Sequence, residues 1–373
     1  MKIVHVVYSL EVGGAEVLVA QLCRIQRRNG HQVSVCAYSK LGTIGEALTE
    51  EGFDIYVPGE AHPAITMLRY YRHFRKIRPD VVHCHNPAPT LQAALSARLA
   101  GARSVISTRH SLVAPPYDKA SELKYNVLAR ACDHIVGICE VTCKNLRNTP
   151  LAQRSKIVRV YNGVPALQRE ASTELISSGF TLLFVGRLAR IKDLGTLLQA
   201  VALARASVPG LQLWIVGDGP MRESLEALAK DLGITKEVQF WGQRMDTAQF
   251  FSSADVFVMS SLSEGLPMSL LQAMSIGVPA LLTEVGGMAE VLTSSRSGLL
   301  TPVGDWKAMA NAIVTMAQNG EMRAEFRERA IAAYAAEFTL KRMDAGYMEL
   351  YRSVRGNRLP LSQDEPDSLH QRS

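Results

Sequence analysis

Two basic residues stand where the chain could bind an anion, because Arg187 and Lys192 closely follow the apolar run 181–186. Such a run is typical of a buried β-strand, and ligands of parallel α/β sheets bind beyond the carboxyl ends of the strands. A guanidinium and an ammonium group at that edge could neutralise a diphosphate leaving group as the bond to it breaks. The chain contains no Asp-x-Asp sequence, the usual carboxylate arrangement for a divalent ion. We therefore predict chemistry that needs no metal site and no cofactor.

The segment 263–274 could supply a second part of the same site. Pro267 suits the first turn of a helix, and Gly265 lets the backbone approach a ligand. The unpaired amides that follow would form an anion site for a diphosphate, while Glu264 could accept hydrogen bonds from sugar hydroxyls. Gln272 lies about two helical turns further on and could reach a second group of the same ligand. The alternative is a capped helix with an apolar face. The segment's site candidates are Glu264, Gly265, Leu266, Pro267, Met268, Ser269, Leu270 and Gln272.

The elements that must position these residues alternate between β-rich runs and helix-length segments. This βαβ rhythm predicts parallel sheets, and it occurs twice, with a turn-forming stretch at 161–165 between the halves. The first set of predicted strands is 3–7, 31–36, 80–85, 104–107, 134–137 and 156–160. The second set is 181–186, 211–216, 238–241, 256–259 and 279–283. The fold class is therefore α/β, with two Rossmann-like, doubly wound parallel-sheet domains.

A length of 373 residues also favours two hydrophobic cores over one. We place the first domain at 1–165 and the second at 166–340, followed by an amphipathic helix at 341–355 that packs back towards the first domain. The last stretch, 356–373, is rich in Pro, Asp, Ser and Gln and is predicted to be a disordered tail.

Composition narrows the possible partners and locations. The six cysteines show no C-x-x-C pairing, so we expect reduced, buried thiols. No apolar run is long enough to span a bilayer and the first residues lack a signal-peptide pattern, so we expect a cytosolic protein.

Charge is divided unevenly along the chain. Residues 1–165 hold 21 Lys plus Arg against 12 Asp plus Glu, whereas 166–373 hold 20 against 23. A basic first half indicates an anionic acceptor or the anionic inner face of a membrane, and the alternative is a solvated basic surface. The basic and aromatic run 69–78 and the segment 112–130 are the candidate surfaces. Nucleic acid is not an expected partner, since no recognised nucleic-acid motif accompanies the charge.

Ten short motifs are distributed along the chain. The motifs of the second half are Gly186-Arg187-Leu188 with Lys192, Gly217-Asp218-Gly219-Pro220, Val238-x-Phe240-x-Gly242, Glu264-Gly265-Leu266-Pro267, Gly286-Gly287 before Glu290, and Ser297-Gly298-Leu299-Leu300. Those of the first half are Gly13-Gly14-Ala15-Glu16, the strand 80–85, Thr108-Arg109-His110 and Asn162-Gly163-Val164. In their order and spacing, which cover nearly the whole chain, they resemble the family 4 retaining glycosyltransferases of GT-B fold, in which two Rossmann-like domains face a deep cleft.

The resemblance implies roles for these positions. Arg187 and Lys192 would face the donor diphosphate, Glu264 the donor sugar, and His110 the transferred sugar. Gly13 and Gly14 would lie in a loop that closes over the diphosphate from the first domain. Backbone groups near the nucleobase would come from Gly219, Phe240 and Gly242, and the phosphates would meet amides of Met268, Ser269 and Leu270.

The resemblance also implies a reaction. A hexosyl or N-acetylhexosaminyl group would pass from a nucleoside diphosphate sugar to a glycan or lipid-linked acceptor with retention of configuration. Front-face attack, with the departing phosphate accepting the acceptor's proton, is the implied route, and surface polysaccharide or glycolipid synthesis the implied setting. The second domain would hold the donor and the basic first domain the acceptor, with a hinge near Pro165. The alternatives are a sugar-nucleotide epimerase of similar architecture and a non-catalytic sugar-nucleotide-binding homologue.

One position departs from the family pattern. The pattern has a second glutamate where this chain has Gln272, at a position that normally binds the ribose hydroxyls. A neutral amide still accepts a hydrogen bond, but more weakly than a carboxylate, so nucleotide binding should weaken by roughly 1 kcal/mol. This substitution keeps the inactive homologue open as an alternative.

His83 and His85 share one face of their predicted strand because side chains alternate along it. His85, nearer the strand's end, is the better candidate to line the cleft, and packing is the alternative for both. No third ligand is evident near them in the sequence, so a metal site is not predicted.

Overall fold

The computed structural model describes residues 1–11, 13–112, 119–170, 175 and 179–353. The predicted tail 356–373 lies outside the described residues, as does the part of the candidate surface 112–130 that spans 113–118. Over the described residues the chain forms two parallel sheets flanked by helices, as the βαβ rhythm predicts.

The first sheet has seven strands in the order β3-β2-β1-β4-β5-β6-β7, and every pair is parallel. The strands are β1 Lys2–Ser9, β2 Gln32–Lys40, β3 Asp54–Tyr56, β4 Val81–His85, β5 Ser104–Arg109, β6 His134–Gly137 and β7 Ile157–Arg159. The helices around it are α1 Gly14–Arg28, α2 Gly42–Glu50, α3 Pro63–Ile77, α4 Pro87–Leu99, α5 Lys119–Leu128 and α6 Glu140–Arg147. The strand order reverses direction between β1 and β4, which is the switch point where such sheets bind ligands.

The second sheet has six strands in the order β10-β9-β8-β11-β12-β13. The strands are β8 Thr181–Val185, β9 Gln212–Val216, β10 Val238–Gly242, β11 Val256–Met259, β12 Ala280–Thr283 and β13 Gly298–Thr301. The helices that follow are α7 Leu194–Ala204, α8 Arg222–Asp231, α9 Thr247–Ser253, α10 Met268–Ser275, α11 Gly286–Ser295, α12 Trp306–Gln318, α13 Gly320–Glu337 and α14 Leu340–Arg352. Its switch point lies between β8 and β11.

Two strands were not predicted from the sequence, β3 and β13. Each has only three or four residues and neither is fully buried, because each lies at the edge of a sheet and buries little apolar surface. By contrast β4 and β5 are buried along their whole length, and their β-branched residues made them recognisable as strands although both also contain polar residues. The six cysteines are buried and unpaired.

The two lobes, built on the first and the second sheet, are connected twice. The chain passes from β7 to β8 through 160–180 and returns from α13 to α14 at 338–340. The two connecting segments contact each other. The amide of Val164 donates to the Phe338 carbonyl and the amide of Leu340 donates to the Val164 carbonyl, both at 3.0 Å. A Cβ on Gly163 would lie 2.3 Å from the carbonyl oxygen of Thr339, so this approach requires glycine.

The last helix, α14, packs on the first lobe. Its apolar face shares one core with Ile3 of β1 and with Leu18 and Leu22 of α1. The Tyr347 hydroxyl also lies 3.2 Å from the hydroxyl of Thr108 on β5. The helix starts with Thr339, whose hydroxyl accepts a hydrogen bond from a first-turn amide and so caps the helix.

Candidate active site

A cavity of about 680 Å³ lies between the lobes, at the carboxyl ends of both sheets. It is lined by loops that follow β1 and β5 in the first lobe and β8, β9, β10 and β11 in the second. The predicted site residues that line it are Gly13, Gly14, His110, Arg187, Lys192, Glu264, Gly265, Leu266, Pro267, Met268, Ser269 and Gln272. Both switch points therefore face the same cavity.

Arg187 and Lys192 both line the cavity but differ in exposure and in ion pairing. Arg187 follows β8, is exposed, and forms no ion pair with any described residue. Lys192 forms an ion pair with Glu264, and their side chains are only 16% and 12% exposed. Ser261 donates a further hydrogen bond of 3.0 Å to the same Glu264 oxygen. Among the described residues, Arg187 thus has no ionic partner, whereas Lys192 is paired with Glu264.

The backbone at Lys192 is fixed by the neighbouring strand. The Ser260 hydroxyl, directly after β11, lies within 3.0 Å of the Lys192 carbonyl and 2.8 Å of the Asp193 carbonyl. Asp193 has the left-handed φ of 45°, which ends the short 3₁₀ turn Arg190–Lys192 before α7 begins. These contacts hold the loop after β8 against the loop after β11.

Two glycines explain how the Glu264 segment is held. The amide of Gly287 donates to the Gly265 carbonyl at 2.7 Å. Gly286 has a φ of 52°, and a Cβ on it would lie 1.7 Å from the Glu264 carbonyl oxygen. Only glycine lets the start of α11 approach this segment so closely.

The same segment also meets the first lobe. The side-chain amide of Asn162 donates to the Leu266 carbonyl at 3.0 Å. A Cβ on Gly265 would lie 3.0 Å from the His110 carbonyl oxygen. Gly265 therefore allows close approach between the lobes. Because it also lines the cavity, the close approach to a ligand that the sequence suggested stays a prediction.

Two helix N-termini face each other across the cavity. Helices α1 and α10 begin at Gly14 and Met268, and the residue before each gives no side-chain hydrogen bond to the first amides. In α1 the Glu16 carboxylate hydrogen-bonds its own first-turn amide, whereas α10 has no acidic residue in its first turn. A Cβ on Gly14 would lie 4.0 Å from Cε of Met268. Uncapped amides and the positive end of the helix dipole favour an anion at such a place. Pro267 is the residue before α10 and not in its first turn as predicted, because its ψ of 135° is extended.

His110 is a neutral side chain at the first lobe's edge of the cavity. Burial lowers its pKa to about 4, so it carries no charge near neutral pH. Its backbone amide donates to Oδ1 of Asn86 at 3.0 Å, and its Nε2 lies 3.0 Å from Nδ1 of His85.

His83 and His85 lie behind the cavity and do not line it. They share a face as predicted, with ring centroids 4.0 Å apart, but both are buried. The expectation that His85 lines the cleft is therefore wrong, because β4 ends beneath the His110 loop. The expectation that no third ligand atom is near is also wrong, since His5 of the adjacent strand β1 joins the pair.

Their ring nitrogens are already occupied. The candidate ligand atoms of His5, His83 and His85 lie within 4.8 Å of one another. Yet all six of their nitrogens contact protein hydrogen-bonding groups at 2.7 to 3.0 Å. We therefore describe these three residues as a hydrogen-bonded histidine cluster.

Four predicted residues do not line the cavity: Gly219, Phe240, Gly242 and Leu270. Leu270 is buried in the second core and Phe240 packs against it. The Gly242 carbonyl accepts a hydrogen bond of 2.7 Å from the Gly217 amide, joining the loops after β9 and β10. Gly219 has a φ of 157°, and a Cβ on it would lie 2.5 Å from the Leu188 carbonyl oxygen. These residues shape the loops, while side chains beside them reach the cavity.

The sequence did not single out several lining residues. Gln243 and Arg244 follow Gly242, while Asp218 and Asn162 belong to motifs already noted. Adjacency to a loop glycine or membership of a motif was the only signal for them, because the conformation of each turn decides which of its side chains faces the cavity.

A carboxylate links the lobes beside the cavity. Glu290 of α11 accepts hydrogen bonds from the amides of Glu140 and Val141 at the start of α6, at 3.0 and 3.1 Å. The Tyr161 hydroxyl donates to the same carboxylate at 2.6 Å. Negative charge at a helix N-terminus is stabilising, so this contact favours the arrangement of the lobes seen in the structure.

These features define a double-Rossmann protein with its ligand site between two lobes. A family model described as "Glycosyl transferases group 1" matches residues 169–333, and one described as "Glycosyltransferase Family 4" matches residues 12–166. Together the two matches cover both lobes, and the chain belongs to this glycosyltransferase family. The resemblance stated from the motifs is thereby confirmed.

Similar proteins agree with this assignment. The lipopolysaccharide core biosynthesis glycosyltransferase LpsE of Rhizobium meliloti is 33% identical over 169 residues, which cover 45% of this chain and 48% of LpsE. That match thus spans about half of LpsE. The phosphatidyl-myo-inositol mannosyltransferase of Mycobacterium leprae is 29% identical over 344 residues, covering 88% of this chain and 89% of that enzyme.

A solved structure confirms the fold. Anabaena Alr3699/HepE, crystallised in complex with UDP, has a TM-score of 0.84 at 19% identity and covers 94% of this chain and 99% of its own. The predicted GT-B architecture is therefore confirmed. Among the described residues, the helices are too short or too polar to cross a membrane.

Proposed function

We propose that this protein transfers a hexosyl or N-acetylhexosaminyl group from a nucleoside diphosphate sugar to a hydroxyl of a glycan or lipid-linked acceptor. The transfer needs no metal and retains the anomeric configuration. One observation carries the proposal: Arg187, Lys192 and the starts of α1 and α10 surround a single cavity, and no side chain caps the start of α10. Positive charge and amide dipoles there match a leaving diphosphate.

The two cations have separate tasks in this mechanism. Arg187 is free to bind the diphosphate bidentately, which suits a planar guanidinium. Lys192 lies between the diphosphate and Glu264, so charge that develops on the leaving group can draw it from its present partner. The departing phosphate accepts the proton of the attacking hydroxyl on the same face of the sugar, and the sugar's configuration is retained.

The remaining lining residues hold the donor. Glu264 and His110 contact the transferred sugar from opposite lobes, and Gln272 contacts the ribose. Gly13 and Gly14 close over the diphosphate from the first lobe. The UDP bound by the similar HepE supports a uridine donor as the first to test.

The acceptor side is assigned to the basic first lobe. Helix α3 buries Tyr70 and Phe74 and exposes Ile65 and Leu68 beside arginines such as Arg72. Apolar and basic side chains on one exposed face favour contact with an anionic membrane surface. The names of LpsE and the mannosyltransferase support a role in surface polysaccharide or glycolipid synthesis. Sedimentation with anionic and neutral lipid vesicles tests the contact, which predicts binding to the anionic vesicles alone.

The central experiment incubates the protein with a panel of nucleoside diphosphate sugars in EDTA and follows nucleotide release and product mass. Turnover that persists in EDTA and yields a glycoside supports the proposal. Loss of turnover with chelator contradicts metal independence, and a product isomeric with the donor indicates an epimerase. Binding without turnover indicates a non-catalytic homologue.

Arg187→Ala and a matched control variant test whether Arg187 binds the diphosphate. The control is Arg190→Ala, an exposed arginine of the same loop that does not line the main cavity. We expect a loss of at least about tenfold in kcat/KM for Arg187→Ala, since hydrogen bonds to charged groups contribute about 1.5–3 kcal/mol. Equal losses of kcat/KM in the two variants would contradict the proposal that Arg187 binds the diphosphate.

A further inference from the structure

A chain of hydrogen bonds runs from the far side of the first lobe to the cavity. Oε1 of Gln26 on α1 lies 2.9 Å from Nε2 of His5, and Nδ1 of His5 lies 3.0 Å from Nε2 of His85. Nδ1 of His85 then lies 3.0 Å from Nε2 of His110. Gln26, His5 and His85 are buried, whereas His110 lines the cavity.

The imidazoles of this chain are neutral. Burial lowers the pKa values of His5 and His110 to about 4 and holds that of His85 well below its usual value. A neutral imidazole carries one N–H and one lone pair. Each nitrogen-to-nitrogen link needs one N–H and one lone pair, so the direction of any one link sets the direction of all the others.

Gln26, the first group in this series of hydrogen bonds, sets the direction of all the links. Asp344, a carboxylate of α14, accepts a hydrogen bond of 2.9 Å from the side-chain amide of Asn29, which lies one helical turn after Gln26 at the end of α1. Burial raises the pKa of Asp344, and the amides of Gln26 and Asn29 partly oppose that rise. Nε2 of Gln26 and Oδ1 of Asp344 are both buried without a partner within hydrogen-bond distance, and Gln26 also faces the Tyr351 hydroxyl. A carboxylate offers only acceptors, and the opposite amide orientation would oppose two oxygens. The amide N–H therefore faces Asp344 and Oε1 faces His5.

With Gln26 as acceptor, the direction follows link by link. His5 donates from Nε2 and accepts at Nδ1, so His85 donates from Nε2 and accepts at Nδ1. His110 then donates from Nε2, and its Nδ1 keeps a free lone pair. No described residue forms a hydrogen bond with that Nδ1.

We propose that Asp344, Gln26, His5 and His85 are positioning residues that fix His110 as the Nε2–H tautomer, so that it offers only an acceptor to the cavity. The ligand group it selects is a hydrogen-bond donor, which for a sugar nucleotide is a hydroxyl of the sugar. This inference rests on the proposed function for the ligand, but the tautomer is a property of the protein alone. Helix α14, which carries Asp344, thus determines which hydrogen-bonding group His110 presents to the cavity.

A series at Gln26 tests the direction. Gln26→Lys offers only donors and can pair with Asp344, so it should reverse every link and place the proton on Nδ1 of His110. Gln26→Met offers neither group and should leave a mixture of tautomers, while Gln26→Glu keeps an acceptor and should keep the wild-type tautomer. The control is His83→Gln, which alters the same histidine cluster outside the chain, because His83 contacts Tyr351 and Thr108.

The primary readout is the tautomer of His110, measured by long-range ¹H–¹⁵N correlation in histidine-labelled protein and assigned by its loss in His110→Gln. We expect Nε2–H in the wild-type protein and in His83→Gln, and Nδ1–H in Gln26→Lys. A wild-type His110 protonated on Nδ1, or one unchanged in Gln26→Lys, overturns the proposal. Should Gln26→Lys not fold, the wild-type spectrum and Gln26→Met still decide.

Kinetic measurements test whether the tautomer of His110 affects the contact with the sugar. Loss of one hydrogen bond to the sugar predicts a fall of about tenfold in kcat/KM for Gln26→Lys. An even mixture in Gln26→Met predicts a fall of about twofold, because half of the molecules are competent. Unchanged kcat/KM in a variant with reversed tautomer overturns the sugar contact. Absence of turnover with every donor would defeat the proposed function, while the spectrum would still decide the tautomer.

Discussion

The ion pair between Lys192 and Glu264 leads to a prediction that separates stability from ligand binding. Lys192→Met removes the charge and keeps most of the side-chain volume, leaving Glu264 with only the Ser261 hydrogen bond among described side chains. Breaking a fully buried pair typically costs about 3–5 kcal/mol. Because both side chains are slightly exposed, at 16% and 12%, and one hydrogen bond remains, we expect about 2 kcal/mol.

The assay is thermal unfolding combined with nucleotide titration. A loss of about 2 kcal/mol lowers Tm by roughly 4–8 °C in a domain of this size. Glu264→Gln should destabilise the fold comparably, and the double variant should be less destabilised than the sum of the two singles, since the pair is lost only once. Only Lys192→Met should weaken UDP binding, because Glu264→Gln leaves the ammonium group free for the diphosphate.

Two results would refute this reasoning. Strictly additive stability changes would mean that the ion pair contributes nothing. Equal losses of UDP affinity in the two single variants would mean that Lys192 supports the loop and does not meet the diphosphate.

Further predictions concern the glycines, the ribose contact, the link between lobes and pH. Gly286→Ala should cost about 3 kcal/mol or more through a positive φ and a 1.7 Å clash with a carbonyl oxygen, whereas Gly304→Ala, at φ 72° in open space, should cost only about 1–2 kcal/mol in thermal unfolding. Gln272→Glu should tighten UDP binding about fivefold by calorimetry, and unchanged affinity would contradict a ribose contact. Glu290→Gln should lower Tm by about 2–4 °C, as a helix N-terminus loses about 1 kcal/mol of charge interaction, and no shift would disprove the contact's value. Since the unfolded chain takes up protons on histidines whose folded pKa is near 4, stability should fall as pH drops from about 6.5 to about 4, and urea titrations across that window check the sign.

The sequence predicted much of this architecture because βαβ units repeat a strong local signal. The strands that precede Arg187 and Glu264, β8 and β11, were predicted within a residue or two, and the topology then brings their ends together. The edge strand β3 was missed because it buries too little to leave an apolar pattern.

The histidine chain could not be predicted in the same way. It depends on the neighbouring positions of β1 and β4, on the depth of α1 and on a carboxylate near the end of the chain. His5 and Asp344 are separated by most of the sequence, and no spacing rule connects them. The contact between Asn162 and the Leu266 carbonyl is of the same kind, since it depends on how the lobes meet.

The position of α14 also constrains how the protein can be made. Its side chains complete a core with β1 and α1, yet they leave the ribosome after all the other residues that the structure describes. Domains generally fold during synthesis in the order in which they emerge. Here the lobe that is translated first must wait, with part of its apolar surface uncovered, until the second lobe has been synthesised. Removing α14 would therefore destabilise the first lobe, although that lobe is built mainly from the first half of the sequence.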